Sequence, residues 1–242
     1  MKRALPLAAG LILGTASSGD AREVRIGLRE VPPYVVQAGN SFVGLDYELI
    51  SAALAQRNHT PRVTLMPFAR LTSTFKENIS IDAAAPVIAD FNVGGEISDP
   101  YIVYTNIALS LEKTGVQLAK MSDFGTYRIM AFQNAQTALG LTFKAATAAN
   151  PNYREESSQL LALRALYFER TDIVIGERRI LRYLMGDPAS GIDPAIKTVE
   201  HQVFAPISYS VVFRDPVLAA DFNAGLAEIK ANGTYAAILR KY

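Results

Sequence analysis

The chain has 242 residues, with 24 basic and 23 acidic side chains, no cysteine and no tryptophan. So balanced a charge supplies no phosphate-neutralising field, which argues against nucleic acid as a partner. The lack of cysteine excludes disulfides, thiolate metal sites, a cysteine nucleophile and a lipidated N-terminal cysteine.

Met1-Lys2-Arg3 is a basic start, Ala4 to Thr15 is an apolar run broken only by Pro6, Gly10 and Gly14, and small residues follow. This is the pattern of a secretion signal, and the run is shorter than the roughly 20 apolar residues that span a bilayer. Cleavage is expected after Ala21, with Ser18 as the alternative, and takes Lys2, Arg3 and Asp20 with it, leaving 22 basic and 22 acidic residues. No later segment is long and apolar enough to insert in a membrane. A freely diffusing exported protein without a lipid anchor is therefore expected, retained in a periplasm.

Strand Val24–Leu28 leads through Val31-Pro32-Pro33-Tyr34 to Gly44-Leu45-Asp46-Tyr47-Glu48-Leu49, which opens a helix. That helix, Asp46–Arg57, carries Leu49, Ile50, Ala53 and Leu54 on one face. Strand Arg62–Met66 follows, and Pro67-Phe68-Ala69-Arg70 enters a second helix to about Asn78. Asp82–Val87 is a short apolar strand, Glu96–Asp99 leads to Pro100-Tyr101, and Ile102–Leu111 is a longer β-like run.

A second unit repeats the theme. Ser122 is placed to cap a turn at Met121–Phe124, Arg128–Phe132 is a strand, and Gln133-Asn134-Ala135-Gln136-Thr137 precedes a helix. The spacing then predicts a helix over Glu156–Glu169, with Leu160, Leu161, Leu163, Leu166 and Tyr167 as its apolar residues. Strand Thr171–Ile175, helix Glu177–Met185 and loop Gly186–Pro194 come next. Strand Ile207–Arg214 is followed by a helix that Asp215 caps and Pro216 starts, with Leu218, Phe222, Leu226 and Ile229 as its buried stripe. Asn232-Gly233 ends it, and Thr234 caps a last helix, Tyr235–Lys241. This alternation predicts a mainly parallel sheet flanked by helices.

Some residues carry little. His59 and His201 lack metal-ligand spacing and suit surface or loop positions, so no metal is expected. Arg178, Arg179 and Arg182 read most simply as a solvated helix face, and Gly94-Gly95 as a turn that lacks the residues of a phosphate loop. No Gly-x-Ser-x-Gly appears.

The first strand with its Pro-Pro-Tyr turn and Gly-x-Asp helix, Ser98-Asp99-Pro100-Tyr101 in the middle, and the Tyr209–Tyr242 end with Gly233-Thr234-Tyr235 resemble bacterial periplasmic solute-binding proteins, family 3. The resemblance covers nearly the whole mature chain in order. It implies the two-lobed α/β fold of periplasmic binding proteins (type II), each lobe a mainly parallel sheet flanked by helices, joined by two crossing strands. Lobe 1 would comprise residues 22–110 and 205–242, and lobe 2 residues 111–204. A small polar solute, an amino acid or a related amine or carboxylate, would bind between the lobes of a monomer. It would pass to a membrane ABC importer or be presented to a membrane sensor. No cofactor is implied. An enzyme reading, similar to periplasmic cyclohexadienyl dehydratases, would need a positioned general acid, for which Glu177 is the obvious residue.

The resemblance also nominates cleft residues. Tyr34 falls at the lip of the cleft, where its ring could stack on a solute or pack on the lobe edge. Phe68, Pro86 and Asn92 are further lobe 1 candidates. Arg70, at a helix start, needs an anion, either a solute carboxylate or a neighbouring acid such as Asp82. The family's carboxylate-clamping arginine is missing, since no arginine stands between Arg70 and Arg128, and Asn92 lies nearest its place. Its loss implies that Arg70 has taken over the carboxylate or that the solute is not a free α-amino acid. In lobe 2, Asn134, Gln136 and Thr137 stand where the family offers amides and hydroxyls to the carboxylate. Glu177 stands where the family's acid holds the solute amine, or serves as a helix-dipole acid.

Overall fold

The computed structural model describes residues 22–77, 80–88 and 94–242, without the side chains of Phe68 and Ala69. The expected signal segment and Asn92 lie outside the described residues.

The chain begins with β1 (Glu23–Leu28), a small hairpin of β2 (Val36–Ala38) and β3 (Ser41–Val43), then α1 (Leu45–Ala55), β4 (Thr60–Leu65), α2 (Phe68–Glu77) and β5 (Ala83–Val87). Next come β6 (Glu96–Ile97), β7 (Ile102–Tyr104) and β8 (Asn106–Leu111). The sequence reads Ile102–Leu111 as one run, but β7 pairs with the first sheet and β8 with the second, so the chain changes sheet at Thr105. The second half holds β9 (Ile129–Phe132), α3 (Ala135–Ala138), α4 (Gly140–Ala148), β10 (Tyr153–Glu156), α5 (Gln159–Tyr167), β11 (Ile173–Glu177) and α6 (Arg178–Gly186). It ends with β12 (Thr198–His201), β13 (Ile207–Phe213), α7 (Pro216–Ala231) and α8 (Thr234–Leu239).

Two mixed sheets result. The first has the order β4-β1-β5-β13-β6, with β7 also on β13; the second has the order β10-β9-β11-β8-β12. β1 runs parallel to β4 and β5, and β9 to β10 and β11, while β13, β8 and β12 pair antiparallel. Both faces of each sheet are covered, as parallel strands require. In the first, Val24, Ile26 and Leu28 meet Leu49, Leu54, Phe222 and Leu226 of α1 and α7, while Ala84 and Val87 meet Leu71 and Phe75 of α2. In the second, Val174 and Leu109 point to Leu163 and Leu181 of α5 and α6, and Ile173, Ile175 and Ala131 to Phe124 and Phe143. Each fully buried Val, Leu, Ile or Phe among these contributes about 1.5–3 kcal/mol.

Matching electrostatic locks close the two units. Asp82 accepts from the Arg25 amide at 2.9 Å and from its guanidinium at 3.0 and 2.6 Å. Asp172 does the same for Arg128, from the amide at 2.8 Å and from the guanidinium at 2.5–3.2 Å.

Four local expectations need correction. The helix expected from Glu156 starts at Gln159, because Tyr153–Glu156 pairs with β9 as a strand and the Ser158 hydroxyl caps the helix by accepting from the Leu161 amide. Leu161 is consequently turned out, 51% exposed. Thr234 is the first residue of α8 and not its cap, which is Gly233 at φ 83°. Likewise the turn at Met121–Phe124 is preceded by Lys120 as its cap, with Asp123 accepting from the Lys120 and Ala119 amides. Finally, both histidines are buried: His59 bonds Asp221 at 3.0 Å beneath α7, and His201 in β12 bonds Ser110 at 2.9 Å.

Candidate functional site

In open α/β sheets the loops beyond the carboxyl ends of the parallel strands form the ligand crevice. Here those ends carry Arg29 after β1, Phe68 and Arg70 after β4, Ile88 after β5, Asn134 to Thr137 after β9, and Glu177 at the end of β11. The sequence candidates therefore sit at strand ends of both units, and their individual partners decide what each can do.

Glu177 is 4% exposed and is engaged on both carboxylate oxygens. Oε2 accepts from the Arg179 amide at 2.7 Å and the Ile180 amide at 3.1 Å, capping α6, while Oε1 accepts from the Thr105 amide at 3.2 Å. One acid thus ties the start of α6 to the crossing between the sheets. As a cap it stabilises by about 1 kcal/mol and complements the positive end of the helix.

Tyr34 is fully buried, stacked on Tyr104 with ring centroids 4.1 Å apart, and Tyr104 in turn packs on Tyr209 at 4.5 Å. The Tyr34 hydroxyl faces the Glu177 carboxylate and the Arg179 guanidinium without hydrogen-bonding geometry to either. Burial first, then the Glu177 charge, raises its pKa far above the ordinary tyrosine range. Beneath it lies Asp46, with no exposed surface. Its Oδ2 accepts from the Tyr104 hydroxyl at 2.8 Å, and Tyr101 lies on its other side. Burial pushes Asp46 up to about 7, against the hydroxyls of Tyr104 and Tyr101, which favour its charge.

The lobe 2 amides already have an anion. Glu155 of β10 accepts from the Asn134 amide at 2.6 Å, the Gln136 amide at 3.0 Å and the Tyr153 hydroxyl at 2.8 Å. Partial burial opposes its charge, but the Gln136 amide, the Tyr153 hydroxyl and the Asn134 amide outweigh it and hold the carboxyl below its usual range. Asn134 adopts φ 63° to make this turn. The Gln136 side chain points away, donating to Thr147 Oγ1 at 3.0 Å, and Thr137 is exposed.

Arg70, on the first turn of α2, is exposed. Asp82 is not its counter-ion, being held by Arg25. Pro86 is buried within β5.

A cleft of about 760 Å³ opens between the two units beside this hinge. Pro33, Gly44 and Tyr242 line one wall, and Glu177, Arg179 and Arg182 the other. Arg70, Pro86, Asn134, Gln136 and Thr137 do not border it. The structure thus brings Tyr34 and Glu177 together at the crossing and leaves the other described candidates at strand ends outside this cleft.

The family model for bacterial extracellular solute-binding proteins, family 3, matches residues 24–242. The chain belongs to that family. No curated protein sequence matches it. Among solved structures, it is similar to a histidine kinase sensor domain with similarity to periplasmic binding proteins, at 18% identity over 92% of this chain and 96% of that one, with a TM-score of 0.73. The GluR0 ligand-binding core in complex with L-glutamate gives 15% identity, 93% and 99% coverage and 0.73. The arginine-, lysine-, histidine-binding protein ArtJ from the thermophilic bacterium Geobacillus stearothermophilus gives 19%, 91% and 94%, and 0.68. These likenesses show the two-lobed type II fold.

Within this family 3 fold, sequence reasoning missed Glu155 and Asp46 as site elements. Glu155 stands one residue before the start of the expected helix, so its place on an edge strand could not be read. Asp46 was in view within Gly44-Leu45-Asp46, but only the packing of Tyr101 and Tyr104 over it shows that its charge is buried.

Proposed function

We propose that the chain is an exported solute-binding protein that captures a small polar solute, an amino acid or related amine or carboxylate, between its lobes and delivers it to a membrane ABC importer. Family membership over residues 24–242 carries this reading. Residues 1–21 serve as the signal peptide, and the protein works in the periplasm. Among the described residues no helix is long and apolar enough to cross a membrane. Lobe 1 comprises residues 22–104 and 205–242 and lobe 2 residues 106–204, a division that the pairing of β8 with β11 and β12 supports.

Solute bridging both lobes shifts the population toward the closed form. Arg70 meets an anionic group, and Glu177, at the crossing, meets an amine. Binding and not catalysis is the activity: the acid that a dehydratase would need, Glu177, is already held by the amides of Thr105, Arg179 and Ile180. A sensor role is the second reading, supported by the likeness to a histidine kinase sensor domain at a TM-score of 0.73.

A thermal-shift screen of residues 22–242 against amino acids, amines, organic acids and small peptides tests the proposal. A solute at 100 times its dissociation constant stabilises by about 2.7 kcal/mol. Arg70→Ala is expected to weaken an anionic solute about tenfold or more, and Glu177→Gln an aminated one, with the folded state retained. Silence across the panel would refute the solute class, and unchanged affinity in both variants would refute these roles.

A further inference from the structure

The basic face of α6 is solvated only in part: Arg182 is exposed, as its sequence suggests, whereas Arg178 and Arg179 are half-buried. Arg178, Arg179 and Arg182 border the cleft beside the hinge, with Lys241 and Tyr242 opposite. The acids nearby are largely spent. Glu200 lies 3.1 Å from Arg178 Nε and also binds Arg182 at 2.7 and 3.1 Å. Glu48 holds Lys241 at 2.6 Å and accepts from the Tyr242 hydroxyl at 2.5 Å. Glu177 turns both oxygens to backbone amides. Among the described residues Arg179 has no ion-pair partner, and Arg178 Nε and Nη2 are buried without a hydrogen bond of acceptable geometry.

Arg179, which borders the cleft and has no ion-pair partner among the described residues, is the guanidinium open to a ligand there, and an oxyanion rich in acceptors matches its fork best. We propose that this groove binds a multiply charged oxyanion, a phosphate or small polycarboxylate, gripped by Arg179 on one wall, with Arg178 and, opposite, Lys241 adding positive charge that they share with Glu200 and Glu48. Arg70 and Asn134 do not border the groove, but Glu177, the acid that the proposed function gives to a solute amine, does. Because the two walls belong to different lobes, the anion holds them together and favours the closed form.

Isothermal titration of inorganic phosphate and of citrate into residues 22–242 at fixed ionic strength tests this. At least one of the two binds the unmodified protein, and which one binds identifies the source of the charge. Arg179→Ala is expected to weaken that binding tenfold or more, and Arg179→Lys, which keeps the charge, to restore part of it. Thermal unfolding of each variant without anion confirms that it folds. Binding of neither anion overturns the proposal, as does full affinity in Arg179→Ala. Loss of binding in Arg70→Ala in place of Arg179→Ala would put the anion at the strand ends and equally overturn it.

Discussion

Replacing Asp46 with Asn should make the protein more stable at neutral pH and change how stability varies with pH. Asp46 has no exposed surface, and burial raises its pKa from 3.8 to about 7. The folded state therefore binds this proton more tightly than the unfolded chain does. The stability so gained is complete below the unfolded value, declines as pH rises from 3.8 toward about 7, and is lost above it. A shift of about three pH units at about 1.36 kcal/mol each is on the order of 4 kcal/mol. Asn keeps the shape, its carbonyl oxygen can accept from the Tyr104 hydroxyl, and its amide can donate to that of Tyr101, while nothing ionises. Urea unfolding between pH 4.5 and 8 of both proteins reads the difference directly. His201, which burial holds below its usual value, favours folding in the opposite direction and cancels between the two. The stability gap should open in favour of Asp46→Asn as pH rises, at up to about 1.4 kcal/mol per unit. Parallel stability–pH curves would refute the buried-charge argument.

Two further substitutions test the packing and the turn. Gly225 of α7 lies so close to α1 that a Cβ would sit 2.0 Å from the Ala53 carbonyl oxygen, so Gly225→Ala should destabilise by about 3 kcal/mol or more, read as a lower urea midpoint with an unchanged slope. A midpoint equal to that of the parent would mean that α1 and α7 do not pack this closely. Glu155→Ala leaves the Asn134 and Gln136 amides and the Tyr153 hydroxyl without their acceptor and should cost about 1–3 kcal/mol, with faster hydrogen exchange at those two amides. Unchanged exchange there would show that the carboxylate does not hold this turn.

Much of the architecture is legible because it rests on periodicity and caps. The α7 stripe Leu218, Phe222, Leu226 and Ile229 is buried as its 3.6-residue spacing demands, and the Asp215 carboxylate caps the helix by accepting from the Val217 amide at 2.9 Å. What escapes is decided by pairing at a distance. Tyr153–Glu156 has no apolar alternation that would announce a strand and becomes one only beside β9. Thr198–His201 is an edge strand, visible only through its register with β8. The break at Thr105 is invisible within the β-like run, because both halves suit a strand and only their different partners separate them. The site follows the same rule: residue types at strand ends could be read in advance, whereas which acid answers which donor could not.

That last distinction bears on the solute. At the start of α3 Glu155 already satisfies the Asn134 and Gln136 amides, and at the start of α6 Glu177 satisfies those of Arg179 and Ile180. A solute carboxylate could use either set of amides only by displacing a resident carboxylate, with loss of charged hydrogen bonds worth about 1.5–3 kcal/mol each. It gains no more from the amides than the resident group forfeits, so these helix starts offer a net advantage to no anion. Preference for an anionic group must then come from side-chain cations, of which Arg70 is the one that the solute reading places at a strand end. An amine has the reverse prospect, since it can add to Glu155 or Glu177 without evicting either. A solute whose affinity rests on its amine therefore fits the strand ends better than one that relies on its carboxylate alone.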